Sequence, residues 1–97
     1  MIQGGIEDYI PIGRENAISR KRLAKITGLP DRTARKMIEQ ARYDGVPIIN
    51  LQDGVGYYIT TDPREMVQQI MIDENRQKSL AKTQRARKRW LKAAGML

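Results

Sequence analysis

The sequence predicts a mainly α-helical fold carrying one small β-hairpin and a long C-terminal helix. Three observations lead there. Apolar residues recur at helical spacing over 19–27 and 31–44, the pattern changes to strand spacing over 46–60, and no Gly or Pro interrupts residues 64–94. The 97 residues suffice for one small domain with an appendage, divided as 1–62 for the domain and 63–97 for a long basic helix.

The elements follow in order. Gly4-Gly5 and Pro11-Ile12-Gly13 bracket Ile6 to Ile10, which has room for one or two helical turns. Ser19 is placed to cap the first helix, its hydroxyl accepting from a first-turn amide that has no helical partner. Leu23, Ala24, Ile26 and Thr27 follow at helical spacing, and Gly28 ends the element. Leu29-Pro30 makes a tight connection, and Asp31 puts a negative charge at the positive dipole end of the next helix. In that helix, 31–44, Ala34, Met37, Ile38 and Ala41 share one face, and Leu23, Leu29, Ala34 and Ile38 are expected to build a shared core.

Val46–Asn50 and Gly56–Thr60 read as short strands about an Asp53-Gly54 turn, because glycine tolerates the positive φ such a turn demands. Tyr57 and Tyr58 alternate across the second strand, which predicts one ring buried and leaves the other open to solvent. Asp62 then caps the last helix, Pro63 suits its first position, and Glu65 stands where a capping box needs it.

The net charge of +7 is unevenly spread. Residues 14–42 carry nine bases and three acids, residues 43–75 carry one base and six acids, and residues 76–97 carry eight bases and no acid. Two basic blocks about an acidic one suggest a polyanionic partner, although a solvated helix face and a solubilising tail give the same pattern. The chain holds no Cys and no His, which excludes disulfides, zinc sites and histidine-dependent catalysis. With no Gly-rich phosphate loop and only scattered carboxylates, no catalytic residue, metal, cofactor or small-molecule substrate is expected. No apolar run nears the roughly 20 residues that span a bilayer, and no signal-peptide core opens the chain, so a soluble cytoplasmic protein is expected.

On helix 31–44, Arg32, Lys36 and Tyr43 point opposite the apolar face, with Glu39 close by and Thr33, Arg35 and Gln40 flanking them. Such a helix fits the DNA major groove, where Arg or Lys reads guanine and Gln reads adenine. The expected base readers are Arg32, Thr33, Arg35, Lys36 and Gln40. Arg20, Lys21, Arg22 and Lys25 on the preceding helix suit phosphates, which fix position without reading sequence.

Residues Ile18 to Thr60 resemble a bacterial winged helix-turn-helix domain, the closest likeness being to the amino-terminal DNA-binding domain of the biotin-operon repressor and to small prophage-encoded winged-helix proteins. Leu29 to Lys36 stand where that family's recognition helix begins, and the Gly-x-Gly-Tyr element, here Gly54 to Tyr57, stands in its wing. The resemblance implies a double-stranded DNA-binding regulator of bacterial or prophage origin, associated with the nucleoid. The wing departs from the usual basic pattern, offering Asn50 and Gln52 in place of Arg or Lys. Winged helices also serve as protein-docking modules, as in replication accessory factors, and that is the alternative function.

Met66, Val67, Ile70 and Met71 form one apolar face early in the C-terminal helix, expected to pack on the domain. Leu80, Thr83, Trp90, Leu91 and Ala94 form a second, rotated by roughly 120–150°, while Lys78, Lys82, Arg85, Lys88, Arg89 and Lys92 occupy the other side. One straight helix cannot bury both stripes against one small body. Leu80, Trp90 and Leu91 are therefore expected to contact a second copy in a homo-oligomer. Phosphate binding by the basic face, membrane-surface binding with Trp90 as anchor, and a frayed solvated tail stand as alternatives, membrane being the less favoured.

Overall fold

A computed structural model describes residues 4–96. Single 3-10 turns at Ile6–Tyr9 and Arg14–Asn16 precede α1 (Arg20–Thr27), α2 (Asp31–Tyr43), β1 (Ile48–Ile49), β2 (Tyr58–Ile59) and α3 (Pro63–Ala93). The mainly helical fold with a small hairpin and a long last helix is the one the sequence predicts. Ser19 caps α1 by accepting from the Arg22 N–H at 3.1 Å, and Gly28, at φ 69°, closes it. Inside the turn to α2, the Thr27 hydroxyl donates to the Leu23 carbonyl and accepts from the Leu29 N–H.

The core joins Ile6, Ile10 and Ile18 from the N-terminal segment to Leu23 of α1, Ile38 and Ala41 of α2, Ile48 of β1 and Tyr57. Leu29 and Met37 pack against it, whereas Ile26, expected on the apolar face of α1, is exposed. Residue 26 is thus a correction: an eight-residue helix buries only Leu23 and Thr27.

The hairpin register pairs Ile48 with Ile59 and Ile49 with Tyr58, which centres it on Asp53-Gly54 as expected. The ladder stops at once, and both strands are shorter than the sequence pattern suggested. The other edge of β2 is paired as well. Ile59 donates to the Pro11 carbonyl and accepts from the Gly13 N–H, and Tyr57 exchanges both backbone hydrogen bonds with Ile18. The N-terminal segment therefore covers this edge through two isolated bridges, Ile12 with Ile59 in the parallel sense and Ile18 with Tyr57 in the antiparallel sense, on either side of the Arg14–Asn16 turn.

This arrangement also corrects the reading of the tyrosine pair, since both rings are buried. Tyr57 joins the helical core on one face of the hairpin. Tyr58 lies on the opposite face, where the start of α3 covers it and its hydroxyl donates to the Glu65 carboxylate at 2.7 Å. The Thr60 hydroxyl donates to the other Glu65 oxygen, also at 2.7 Å. Asp62 does cap α3, accepting from the Arg64 N–H. Glu65 completes no capping box, however, because its carboxylate is held by Tyr58 and Thr60, and Thr60 supplies the acceptor for the Asp62 N–H.

The expected docking face of α3 is corrected as well. Val67, Ile70 and Met71 are exposed and Met66 is half-buried, while Gln69 is the buried residue of this helix. A polar face wins because the outer face of the hairpin presents hydroxyls and a backbone N–H, which need acceptors when buried. Helix α3 ends at Ala93, short of the expected limit. Gly95 turns the chain so that the Met96 N–H reaches the Leu91 carbonyl, and Leu97 lies outside the described residues.

Two outcomes follow for stability. Gly56 has φ 108°, and a Cβ there would collide with the Ile18 carbonyl, whereas Gly54 at φ 86° has open space around it. In urea unfolding, Gly54→Ala should cost about 1–2 kcal/mol from backbone strain alone, and Gly56→Ala about 3 kcal/mol through strain plus the damaged pairing with Ile18. Burial first, and the bond to Glu65 second, raise the Tyr58 phenol above its ordinary value of 10.0, with Arg14 pulling partly back. A raised folded value means that this contribution is full below about pH 10 and is lost as pH climbs through it. Thermal melts from about pH 9 to about pH 11.5 should show falling stability that Tyr58→Phe flattens.

Candidate nucleic-acid interface

Helix α2 presents its polar side to a groove of about 630 Å³ that also takes in the hairpin loop and the first turns of α3. Its walls carry six bases, Arg20, Arg32, Arg35, Lys36, Arg42 and Arg76, against the acids Glu39 and Asp73. Asn50, Gln52 and Gln69 add amide groups.

Three local features shape it. Asp31, in the first turn of α2, accepts from Arg20 of α1 at 3.0 Å and lies 3.7 Å from Arg35 one turn on. These pairs are half exposed, so each stabilises little, but they orient both guanidinium groups along one wall. At the other end of α2, the Arg42 Nε–H donates to the Ile48 carbonyl at 2.8 Å, and its guanidinium carbon lies 5.9 Å from the Tyr57 ring centre. That fastens the last turn of α2 to the hairpin. On the far wall, the Gln69 side-chain carbonyl accepts from the Asn50 N–H at 2.7 Å while its amide donates to Asp73. Helix α3 is thereby tied to the hairpin loop.

The loop is ordered by its own polar side chains. Asn50 accepts from the Gln52 N–H and Asp53 from the Val55 N–H, and Gln52 takes the left-handed φ of 62°. Arg14 pairs with Asp53 at 2.6 Å. This hydrogen bond is the main reason the Asp53 carboxyl sits below its ordinary range.

The predicted residues divide between places. Arg32, Arg35 and Lys36 line the groove with Arg20, Asn50 and Gln52. Thr33 and Gln40 are exposed but lie outside it, and the Gln40 amide donates to Asp44. Lys21, Arg22 and Lys25 are exposed on α1 and also lie outside; Arg22 lines a separate hollow with Asp8, Tyr9 and Ser19. Lys78, Lys82, Arg85, Lys88, Arg89 and Lys92 are all exposed on α3 beyond the domain, with Leu80 and Trp90; Leu91 is half-buried. Sequence reasoning did not place Arg42, Gln69, Asp73 and Arg76 in the site. Gln69, Asp73 and Arg76 join through the Asn50–Gln69 contact across 19 positions, for which periodicity gives no signal, and Arg42 joins through its bond to the Ile48 carbonyl.

Among the described residues, no group of three or more His, Cys, Asp or Glu side chains is placed to hold a metal ion, and no described helix is long and apolar enough to cross a membrane. Compared with known proteins, the chain matches no family profile, no curated protein and no solved structure.

The tie between loop and helix can be tested directly. Gln69→Leu leaves the half-buried Asn50 N–H without its side-chain acceptor, a loss of about 1 kcal/mol. Amide hydrogen exchange at Asn50 should accelerate accordingly, while exchange in the middle of α2 stays unchanged.

Proposed function

We propose that this protein binds double-stranded DNA, with α2 as the element that enters the major groove. The observation that carries the reading is the groove wall itself, where six Arg and Lys side chains from three helices converge on one concave surface. Convergence of this kind favours a polyanion over a generally charged face. The helix-turn-helix arrangement of α1 and α2, followed by a hairpin, supports the same reading, and the resemblance to winged-helix repressors points to a bacterial or prophage regulator associated with the nucleoid.

The roles divide by how the side chains are held. Arg32 and Lys36 are exposed on α2 and have no ion-pair partner among the described residues, so they are the base readers of choice, with Arg35 able to join them by leaving Asp31. Arg20 and Arg76 stand on the two flanking helices, as phosphate contacts require. Asn50 and Gln52 offer amides to the backbone or to the floor of a groove. Arg42 is engaged with Ile48 and Tyr57 and acts as a structural strut. The chemistry is electrostatic binding without catalysis.

The discriminating measurement is affinity for duplex DNA as a function of salt. Neutralising four or five phosphates predicts a log–log slope of about −4. Arg32→Ala combined with Lys36→Ala should weaken binding about 10- to 100-fold and flatten that slope by about 2. If the pair changes nothing while deletion of residues 76–97 abolishes binding, α2 is not the reader and the basic tail is.

A further inference from the structure

The distal half of α3 carries charge that its own sequence does not balance. Residues 76–93 hold eight bases and no acid, and every residue from Asp73 to Trp90 is exposed. At about 100° per residue, Lys78, Lys82, Arg85, Lys88, Arg89 and Lys92 fall within an arc of roughly 120°. That arc centres roughly 160° from Gln69, the side chain that reaches the hairpin loop. Arg76 and Arg87 are the bases outside it, on the Gln69 side. The six form a row about 21 Å long. Neighbours along it stand three or four positions apart, as Lys78 with Lys82 and Arg85 with Arg89, the spacing at which like charges on a helix repel. Among the described residues, no ion pair reaches any of the six.

We propose that this row is a second DNA-binding surface, which takes the phosphate backbone of a separate duplex segment by charge alone. Three features select that partner. A polyanion supplies the negative charge that this half of the helix lacks, and its binding relieves the repulsion along the row. An exposed helix, about 10–12 Å across with its side chains, fits the major groove or lies along its edge. The row contains no aromatic side chain, and Trp90 stands roughly 140° from its centre. It therefore lacks the stacking platform on which single strands are held. Lys and Arg contacts to phosphate fix position without reading sequence, so this surface is indifferent to the base pairs it meets. The row also faces away from the groove, so a duplex lying against α2 does not reach it without bending round the helix. Resting on the α2 reading, one chain then holds two duplex segments, one on each side of α3.

The test uses the full chain. With Arg32→Ala and Lys36→Ala in place, duplex DNA should still bind at low salt. Adding the row substitutions Lys78→Gln, Lys82→Gln, Arg85→Gln and Arg89→Gln should weaken that residual binding at least tenfold and flatten its log–log salt slope by about 3 to 4. Wild-type protein on a bead-tethered duplex should also capture a second, fluorescent duplex. The row variant and the Arg32→Ala, Lys36→Ala variant should each bind the tether and capture none. Circular dichroism checks folding, and removing like charges should hold or raise helix content. For a row variant that loses helix, Lys82→Gln with Arg89→Gln replaces it, with residual binding at least threefold weaker. Residual affinity and slope that the row substitutions leave unchanged overturn the proposal, as does tighter binding of a single strand than of a duplex of the same length. So does capture by the row variant, or no capture by wild type when both variants bind the tether. Failure of the α2 reading has a different signature: Arg32→Ala with Lys36→Ala leaves affinity at the wild-type value, and the row substitutions alone abolish binding.

Discussion

The backbone from Tyr57 to Thr60 is hydrogen-bonded along both edges and packed on both faces, and the other elements take their positions from it. Along one edge Tyr57 and Ile59 hold the N-terminal segment through Ile18, Pro11 and Gly13; along the other, Tyr58 pairs with Ile49 and Thr60 donates to Pro47. On one face Tyr57 completes the core with Leu23 and Ile38, and on the other Tyr58 and Thr60 capture Glu65 and so set where α3 begins. A strand of this kind has no free edge to offer another chain. Its cost in side-chain polarity is met locally, since among the described residues every buried side-chain nitrogen and oxygen has a hydrogen-bond partner.

The groove inherits its geometry from the same strand. Arg42 reaches from the end of α2 to the Ile48 carbonyl and the Tyr57 ring, and Gln69 reaches from α3 to Asn50 where β1 ends. Both walls are therefore referred to one short hairpin. Charge is arranged on that frame rather than creating it: the ion pairs of Asp31 are half exposed and weak. They aim guanidinium groups and can be broken at little cost.

How much of this was legible in the sequence depended on whether the signal was local. Ser19, Gly28, Asp62 and Pro63 act on backbone groups within a few residues of themselves, so their caps and turns are readable directly, and the Asp53-Gly54 centre of the hairpin was readable for the same reason. Arg32, Arg35 and Lys36 were readable because helical periodicity separates an apolar face from a polar one. The failures share one cause. Residues 11–18 pair with a strand some 40 positions away while carrying Pro11 and Gly13, which read as loop. The buried side of α3 was misassigned because apolar periodicity marks what leaves water most readily, and here Glu65 and Gln69 go inward to satisfy Tyr58, Thr60 and Asn50. Arg76 and Asp73 entered the site only as passengers of that choice.

From Asp73 to Trp90 every residue of α3 is exposed, while its named hydrogen bonds to the domain come from Glu65 and Gln69 near its start. Mechanically this is a lever with a short clamped end. A tilt of roughly 10° at the clamp would carry Trp90, roughly 30 Å away, through roughly 5 Å. The rigid grip of the hairpin on its first turns thus decides where the far end of the helix points, and a one-residue change at Gln69 would be felt most strongly at a tip it never touches.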